Sequence, residues 1–406
     1  MKNSALAFCF CYLFCAVSFA QVQSFYLHPS ATHQSYSSVD SHFVARNSLA
    51  ANGKLMLFIG GTFSKPSDYK FFSLYAAELG FHSIGVAYPN NVLTTLLASS
   101  SDSLSFDKFR EEICFGTQVS SNVNVDSFNS IYTRTLNLLS FLNQTYPADG
   151  WDEFLLSPQQ IDWSKITVCG HSQGAGHAAY FAKQFSTQRV LMFAGPNDYS
   201  THFGKAAPWL RKQGVTPVSN HFAFLHLMDE LVPFSRQYEN LRGLGMLQND
   251  DTTLVEDFTN GYAGSKCLYS KLTPKIAGQY HNSVVIYIAT PNSTNNQPAF
   301  DSVWKYMLLS PQPTSVSDVE AEPFRFSVYP NPASSTLTIR YAGTQTLQPS
   351  IAVYDVSGRK ILGRNTVYFD TATKDYTLDI EDLEDGLYFV EVYVDSKKYI
   401  AKVFVE

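Results

Sequence analysis

The pentapeptide Gly170-His171-Ser172-Gln173-Gly174 is the segment whose residue types point most directly to chemistry. It follows an apolar run, KITVC, and leads into GAGHAAYFAKQF, which has the composition of a buried helix. A serine between glycines at this spacing is typical of a sharp strand-to-helix turn that lifts the hydroxyl clear of the sheet. Larger side chains would collide across such a turn, so glycine is needed on both sides. We therefore interpret Ser172 as the nucleophile of an acyl-transfer reaction.

A serine hydroxyl needs a base, and in hydrolases with this turn an acid and then a histidine follow the serine. The chain has 10 histidines, but only His281 follows residue 226. It lies in GQYHNSVV, before an apolar run, and is the predicted base. The predicted acid is Asp229, which follows the run FAFLHL. Glu230 beside it and Asp198 in GPNDY are the alternatives.

Two backbone N–H groups should bind the negative oxygen that forms when a substrate carbonyl is attacked. We predict one at Gln173, after the nucleophile, and the other at Thr62 in the loop GGTF, with Gly61 as the next choice. His171 and His177 are expected to pack around the turn. The sequence has no HExxH motif, no Cys/His ligand spacing and no phosphate-binding loop, so neither metal nor cofactor is predicted.

The elements that must position these residues alternate between strand and helix from residue 54 onward. This alternation predicts an α/β fold, a doubly wound and mostly parallel sheet with helices on both faces. Strands are predicted at 54–59, 83–88, 166–169, 189–193, 222–227 and 283–288, and helices at 66–79, 131–142 and 174–185.

Two long segments, 92–126 and 199–220, follow predicted strands. Loops after parallel strands gather at the edge that carries the nucleophile, so we expect both segments to flank the mouth of the site. Their bulky apolar residues are the candidates for contacting substrate: Phe106, Phe109, Phe115, Trp209 and Leu210.

The N-terminus has the features of a signal peptide over residues 1–20. Lys2 precedes an apolar stretch, 5–17, which is shorter than the roughly 20 residues that span a bilayer. No other stretch is predicted to be transmembrane, and a secreted or surface location, reached through the periplasm, is expected. Removal of the peptide leaves Cys114, Cys169 and Cys267, among which a Cys114–Cys267 disulfide is left open.

Composition excludes nucleic acid as the expected partner, because the formal net charge is −6 and Lys and Arg do not cluster. The catalytic region is predicted over 21–310 and a Pro/Ser/acidic linker over 311–324. Short alternating runs separated by turn residues then predict a small antiparallel β-sandwich over 325–406. A sandwich of this kind could bind carbohydrate or serve as an export signal.

Residues 54–310 resemble bacterial α/β-hydrolases of the lipase/esterase type, most specifically through GHSQGAGHAA, RVLMFAGPNDY and DELVPFSRQ. The resemblance implies a carboxylic ester as substrate and the roles given above for Ser172, Asp229 and His281. A peptidase or amidase with the same three residues is the enzyme alternative. A surface binding protein on the same scaffold is the alternative without catalysis.

The C-terminal region resembles type A sorting domains of the type IX secretion system, through VYPNPAS, IAVYDVSGRKIL and LEDGLYFVEVYV. This resemblance implies that the type IX machinery is a partner and that the chain is exported across the outer membrane.

Overall fold

The structure is a computed structural model in which the chain folds into two compact units, Met1–Pro313 and Thr314–Glu406. The predicted signal peptide and the predicted linker lie outside the residues that the structure describes. The described residues are 22–36, 40–247, 252–258, 261–310, 326–341, 350–355, 359–362, 367–370, 375–394 and 397–406.

Nine strands of the first unit form one sheet. In chain order they are β1 (Val22–Leu27), β2 (His42–Asn47), β3 (Leu55–Ile59), β4 (His82–Val86), β5 (Ile166–His171), β6 (Arg189–Phe193), β7 (His221–His226), β8 (Thr252–Leu254) and β9 (Cys267–Ser270). Two-residue and three-residue strands also form short hairpins at Leu155–Ser157 with Gln160–Ile161 and at Tyr199–Ser200 with Lys205–Ala206.

The order across the sheet is β1-β2-β4-β3-β5-β6-β7-β9-β8. Within this order, every neighbouring pair from β4 across the sheet to β8 is parallel. Strand β2 is antiparallel to both β1 and β4. The sheet is therefore mixed. Because β3, β5, β6 and β7 are adjacent and parallel, the loops that follow them lie together at one edge.

Helices cover both faces of this sheet. They are α1 (Lys70–Glu78), α2 (Ser105–Phe115), α3 (Ile131–Thr145), α4 (Gln173–Gln184), α5 (Phe234–Gly243), α6 (Tyr280–Ser283) and α7 (Asp301–Leu309). Leu55 and Leu57 of β3 share a core with α2, α3, α4 and α5, whereas Met56 and Phe58 share the other core with α1 and α7. This alternation follows from the two-residue repeat of a strand, whose successive side chains point to opposite faces.

The segment 283–288 is not a strand, so that prediction was wrong. It contains the end of α6 and the turns after it, while β8 and β9 occupy the sheet edge. A short apolar run is compatible with either a strand or another buried segment, because periodicity alone does not separate them. Here the indole of Trp304 donates to the carbonyl oxygen of Val284 at 2.9 Å, which fixes the turn against α7.

The second unit consists of two four-stranded antiparallel sheets. Leu337, Leu378, Ile351 and Val390, which come from both sheets, share one core, so the two sheets pack face to face. In chain order the strands are β10 (Phe326–Tyr329), β11 (Thr336–Tyr341), β12 (Ser350–Asp355), β13 (Lys360–Leu362), β14 (Val367–Asp370), β15 (Asp375–Asp379), β16 (Gly386–Val394) and β17 (Lys397–Val405). Their orders are β10-β11-β15-β14 and β13-β12-β16-β17.

Candidate active site

Ser172 lies at the sharp turn between β5 and α4 with φ 54° and ψ −118°. A non-glycine residue at positive φ is strained and is tolerated only where surrounding contacts hold it. Here the Ser172 N–H donates to the Phe193 carbonyl of the neighbouring strand at 2.8 Å, and the Ala175 N–H donates to the Ser172 carbonyl at 3.0 Å. Backbone hydrogen bonds on both sides therefore hold Ser172 in this strained conformation.

The glycines around Ser172 leave space for close backbone contacts. A Cβ atom on Gly170 would lie 2.0 Å from the Gly174 carbonyl oxygen, and one on Gly174 would lie 2.0 Å from the Ile59 carbonyl oxygen. A side chain is excluded at Gly176 by a different neighbour, because a Cβ atom there would lie 2.2 Å from the Arg110 guanidinium. Strand β3 and helix α2 thus approach the turn as closely as they do because these positions lack side chains.

His281 and Asp229 are joined by a hydrogen bond of 2.7 Å between Nδ1 and Oδ2. The two side chains come from segments following different strands, β9 and β7. Asp229 accepts three further hydrogen bonds, from the Leu231 and Val232 N–H groups and from the Gln237 amide. The buried Nε2 atom of His281 has no hydrogen-bond partner among the described residues, so it is the ring nitrogen left to exchange a proton with another group.

Asp229 remains an ionised acceptor. Burial by itself would raise the pKa of this carboxyl group, but the His281 hydrogen bond and the backbone N–H donors outweigh it and lower the pKa. An ionised Asp229 accepts the proton on Nδ1, so in the neutral form of the ring Nε2 is the nitrogen without a proton.

The two alternative acids have other positions. Glu230 is exposed and accepts from the backbone N–H of His281 at 3.0 Å, so it contacts the histidine without reaching its ring. Asp198 is fully buried, forms a two-point ion pair with Arg110 at 2.6 and 3.1 Å, and accepts from the Trp209 indole at 2.8 Å. Arg110 also donates to the Gln173 carbonyl at 2.5 Å, so this ion pair supports the start of α4.

The two residues chosen for the oxyanion hole are in contact. The Thr62 hydroxyl donates to the Gln173 side-chain oxygen, and neither residue's backbone N–H has an acceptor within the described part of the chain. The alternative, Gly61, differs because its N–H donates to the Tyr69 hydroxyl at 3.0 Å. The backbone N–H groups of Thr62 and Gln173 are thus free to donate to a ligand, whereas that of Gly61 is already bonded to Tyr69.

His171 links two parts of the site. Its Nδ1 atom is 3.0 Å from the Tyr69 hydroxyl, and its Nε2 atom is 3.1 Å from the His281 carbonyl oxygen. Burial, followed by the neighbouring His281, lowers the pKa of His171 to about 3. A neutral ring that accepts from Tyr69 and donates to the His281 carbonyl satisfies both contacts, so His171 connects the loop after β3 to the segment of His281.

The three remaining cysteines are free and buried, so the Cys114–Cys267 disulfide left open by the sequence is not formed. Cys114 lies on α2 with its sulfur 3.4 Å from Nδ1 of His177, whereas Cys267 begins β9. Burial lowers the pKa of His177 well below its usual value, in keeping with its expected packing role.

A cavity of about 500 Å³ lies over Ser172 and is also lined by Thr62 and His281. Asn197 lines it as well, and the sequence reasoning missed this residue. It follows β6, is 7% exposed, and donates from Nδ2 to Ser172 Oγ at 3.3 Å. The sequence did contain a signal for Asn197, because it follows β6, the neighbour of the strand that precedes Ser172, and can therefore reach the same sheet edge. The adjacent carboxylate, Asp198, was the more obvious candidate.

The bulky residues expected at the mouth belong to the core, so that part of the prediction was wrong. Trp209 is 1% exposed and its indole is engaged by Asp198. Phe106, Phe109 and Leu210 are buried, and half-buried Phe115 packs against the same core. They lie on α2 or on the short turn of helix at Pro208–Arg211, whose apolar sides face α4. The cavity over Ser172 is lined by Leu93, Thr94 and Thr95 of the first segment, and none of its described lining residues comes from 199–220.

Two features bear on ligands and membranes. Within the described ranges, no group of three or more His, Cys, Asp or Glu side chains is arranged to hold a metal ion. None of the described helices has the length and apolar character needed to cross a bilayer.

Residues 327–406 match the family described as "Secretion system C-terminal sorting domain". This match confirms the predicted sorting domain: the chain is exported through the type IX secretion system, whose machinery its sorting domain engages, to the cell surface or the medium. No curated protein matches the chain significantly. Among solved structures, CopC from Methylosinus trichosporium OB3b aligns at 23% identity over 20% of this chain and 85% of that chain, with a TM-score of 0.16.

Proposed function

We propose that the protein is a serine hydrolase with an α/β-hydrolase catalytic domain, and that it cleaves carboxylic esters through Ser172, His281 and Asp229. One observation carries the proposal. A serine strained at φ 54° lines the same cavity as a histidine whose far nitrogen has no partner among the described residues and whose near nitrogen is bonded to a buried aspartate. A binding protein has no need of a strained serine beside an oriented imidazole.

In the proposed reaction, Ser172 Oγ attacks the ester carbonyl while Nε2 of His281 takes the hydroxyl proton. The ionised Asp229 stabilises the imidazolium that results. The Thr62 and Gln173 N–H groups donate to the oxyanion, and the start of α4 adds partial positive charge. The imidazolium then protonates the leaving alcohol, which leaves the acyl group on Ser172.

Water completes the cycle. His281 removes a proton from a water molecule, the resulting hydroxide attacks the acyl carbonyl, and Ser172 Oγ leaves with the proton that His281 returns. The amide of Asn197 lies within hydrogen-bond distance of this oxygen and would donate to it as it departs.

A fluorophosphonate probe together with p-nitrophenyl esters of increasing chain length tests the proposal. We expect the wild-type chain to be labelled and to hydrolyse esters. Ser172→Ala should lose labelling and lower kcat on the order of 10⁶-fold. Ser164→Ala, which removes an exposed hydroxyl outside the cavity, is the matched control and should leave both unchanged.

Parallel p-nitroanilides separate an esterase from an amidase. Faster cleavage of anilides than of matched esters would replace the ester assignment with the amide one. An unlabelled wild-type chain that still hydrolyses esters would remove Ser172 from the nucleophile role.

A further inference from the structure

A second cavity, of about 260 Å³, lies beside the catalytic one. Asn197, Leu231 and Val232 line both cavities, so the two share a wall next to Ser172. A substrate whose ester group lies at Ser172 can therefore reach the second cavity with a neighbouring part of the same molecule.

The walls of the second cavity are held in place by backbone contacts. The Ala98 carbonyl oxygen accepts from the Thr201 N–H at 2.7 Å and from the Thr201 hydroxyl at 2.9 Å, which ties the segment after β4 to the hairpin after β6. Thr95 and Ser99 also line the cavity, and their hydroxyls make no hydrogen bond within the described part of the chain. The cavity thus offers free hydroxyl donors on a pre-formed wall.

Among the described residues, Arg236 is the only charged side chain that lines this cavity. Its guanidinium lies 5.5 Å from the centre of the Tyr199 ring, a cation–π contact that holds it on one side. Among the described residues it has no carboxylate partner, unlike Arg110 with Asp198 and Arg242 with Glu239.

A helix end adds to the positive potential there. Helix α5 begins at the cavity wall, since Pro233, the residue before its first turn, lines the cavity. The amino end of a helix carries partial positive charge, which has the same sign as the guanidinium.

We propose that the second cavity is a subsite for a carboxylate group, so that the preferred substrate is an ester that also carries a carboxylate. This inference rests on the proposed ester hydrolysis. A planar guanidinium matches the two oxygens of a carboxylate, and the hydroxyls can donate to the same group. One cation without a second beside it suits a singly charged carboxylate better than a doubly charged phosphate monoester.

The net charge of −6 does not oppose this assignment. At physiological ionic strength the field of distant charges is screened over about 8 Å, so the local guanidinium determines the potential inside the cavity.

Binding to the Ser172→Ala variant, measured by titration calorimetry, tests the subsite without requiring turnover. The ligands are two pairs that differ only in carboxylate against carboxamide. One pair carries the group on the alcohol side, as 4-(butanoyloxy)benzoate and 4-(butanoyloxy)benzamide. The other carries it on the acyl side, as the phenyl monoester of adipic acid and the phenyl ester of adipamic acid.

We expect the carboxylate to bind about three- to fivefold more tightly than the carboxamide in at least one pair, the gain expected of a charge-assisted contact with an exposed guanidinium. Adding Arg236→Gln should abolish that preference, and Arg236→Lys should retain part of it. Arg211→Gln removes an equal charge from an exposed position outside both cavities and should leave the preference intact.

Equal binding within both pairs, or a preference that survives Arg236→Gln, would overturn the subsite. Hydrolysis by the wild-type chain is followed with the same compounds. A carboxylate preference without any hydrolysis would leave the subsite standing and contradict the proposed ester cleavage instead.

Discussion

Removing the charge of Asp198 should damage the fold rather than the chemistry. Asp198 and Arg110 are both fully buried, and the guanidinium contacts both carboxylate oxygens. Replacing one partner of such a pair leaves the other charge buried without compensation, which costs about 3–5 kcal/mol. Typical folding free energies are about 5–15 kcal/mol, so Asp198→Asn should remove about a fifth or more of the stability.

Asp229→Asn should instead lower the rate of ester hydrolysis with little effect on the stability of the fold. The amide can hold His281 in the wrong tautomer, and the expected loss in kcat is on the order of 10⁴-fold. The assay pairs urea unfolding, followed by tryptophan fluorescence, with ester hydrolysis at a temperature well below melting. Each variant then has one unfolding free energy and one rate of ester hydrolysis. Asp198→Asn should lower mainly the unfolding free energy, and Asp229→Asn should lower mainly the rate.

A double variant, Arg110→Met with Asp198→Leu, serves as the control. Replacing both members of a buried ion pair by apolar residues of similar size is often close to neutral, so we expect it to recover most of the stability lost in Asp198→Asn. If Asp198→Asn kept the wild-type unfolding free energy within about 1 kcal/mol and lost activity as severely as expected for Asp229→Asn, the assignment of the two carboxylates would be reversed.

Three further outcomes are expected. Trp209→Ala should lower the unfolding free energy by about 3–5 kcal/mol through the cavity it leaves and the lost hydrogen bond, while the ester chain-length profile stays unchanged; a changed profile without loss of stability would return Trp209 to the mouth of the site. Burial lowers the pKa of His42 to about 3, so between about pH 6.5 and pH 3 only the unfolded chain binds this proton. The free energy of unfolding should therefore fall by about 1.4 kcal/mol for each pH unit between pH 6 and 4 because of this ring. In His42→Asn, the pH dependence of the unfolding free energy, measured by urea unfolding at each pH, should be smaller by this amount, and an unchanged pH dependence would mean that the ring is protonated when folded. A chain ending at Pro313, the boundary of the first compact unit, should remain soluble and bind the fluorophosphonate probe, and an unfolded product would show that the first unit needs the second one to fold.

The turn at Ser172 could be predicted from the sequence because everything that makes it is local. A strand, two glycines at the right spacing and a helix follow one another within a few residues, and Gly170 and Gly174 are indeed in backbone contacts that exclude a side chain. The strands at 189–193 and 222–227 were predicted within one residue for the same reason, since buried parallel strands are short apolar runs with clear ends.

The segment around His281 shows where local patterns fail. The run after it is apolar and rich in β-branched residues, so it has the composition of a strand, yet it forms a turn that packs against α7. The strand that does occupy that part of the sheet, Cys267–Ser270, has only four residues. Which of two short apolar runs joins a sheet is determined by packing against distant elements, and that information is absent from either run alone.

The sequence by itself was enough to propose Ser172 as the nucleophile and His281 as its base and to predict the export signal, because each depends on order and spacing along the chain. Only the tertiary structure shows which carboxylate contacts the ring of His281. Asp198 and Asp229 both follow buried strands, and they differ in whether an arginine 88 residues away or a histidine 52 residues away reaches them. The same applies to Asn197 and Arg236, whose surroundings come from several loops at one sheet edge. Their roles depend on which loops meet at that edge, and this is a property of the folded sheet alone.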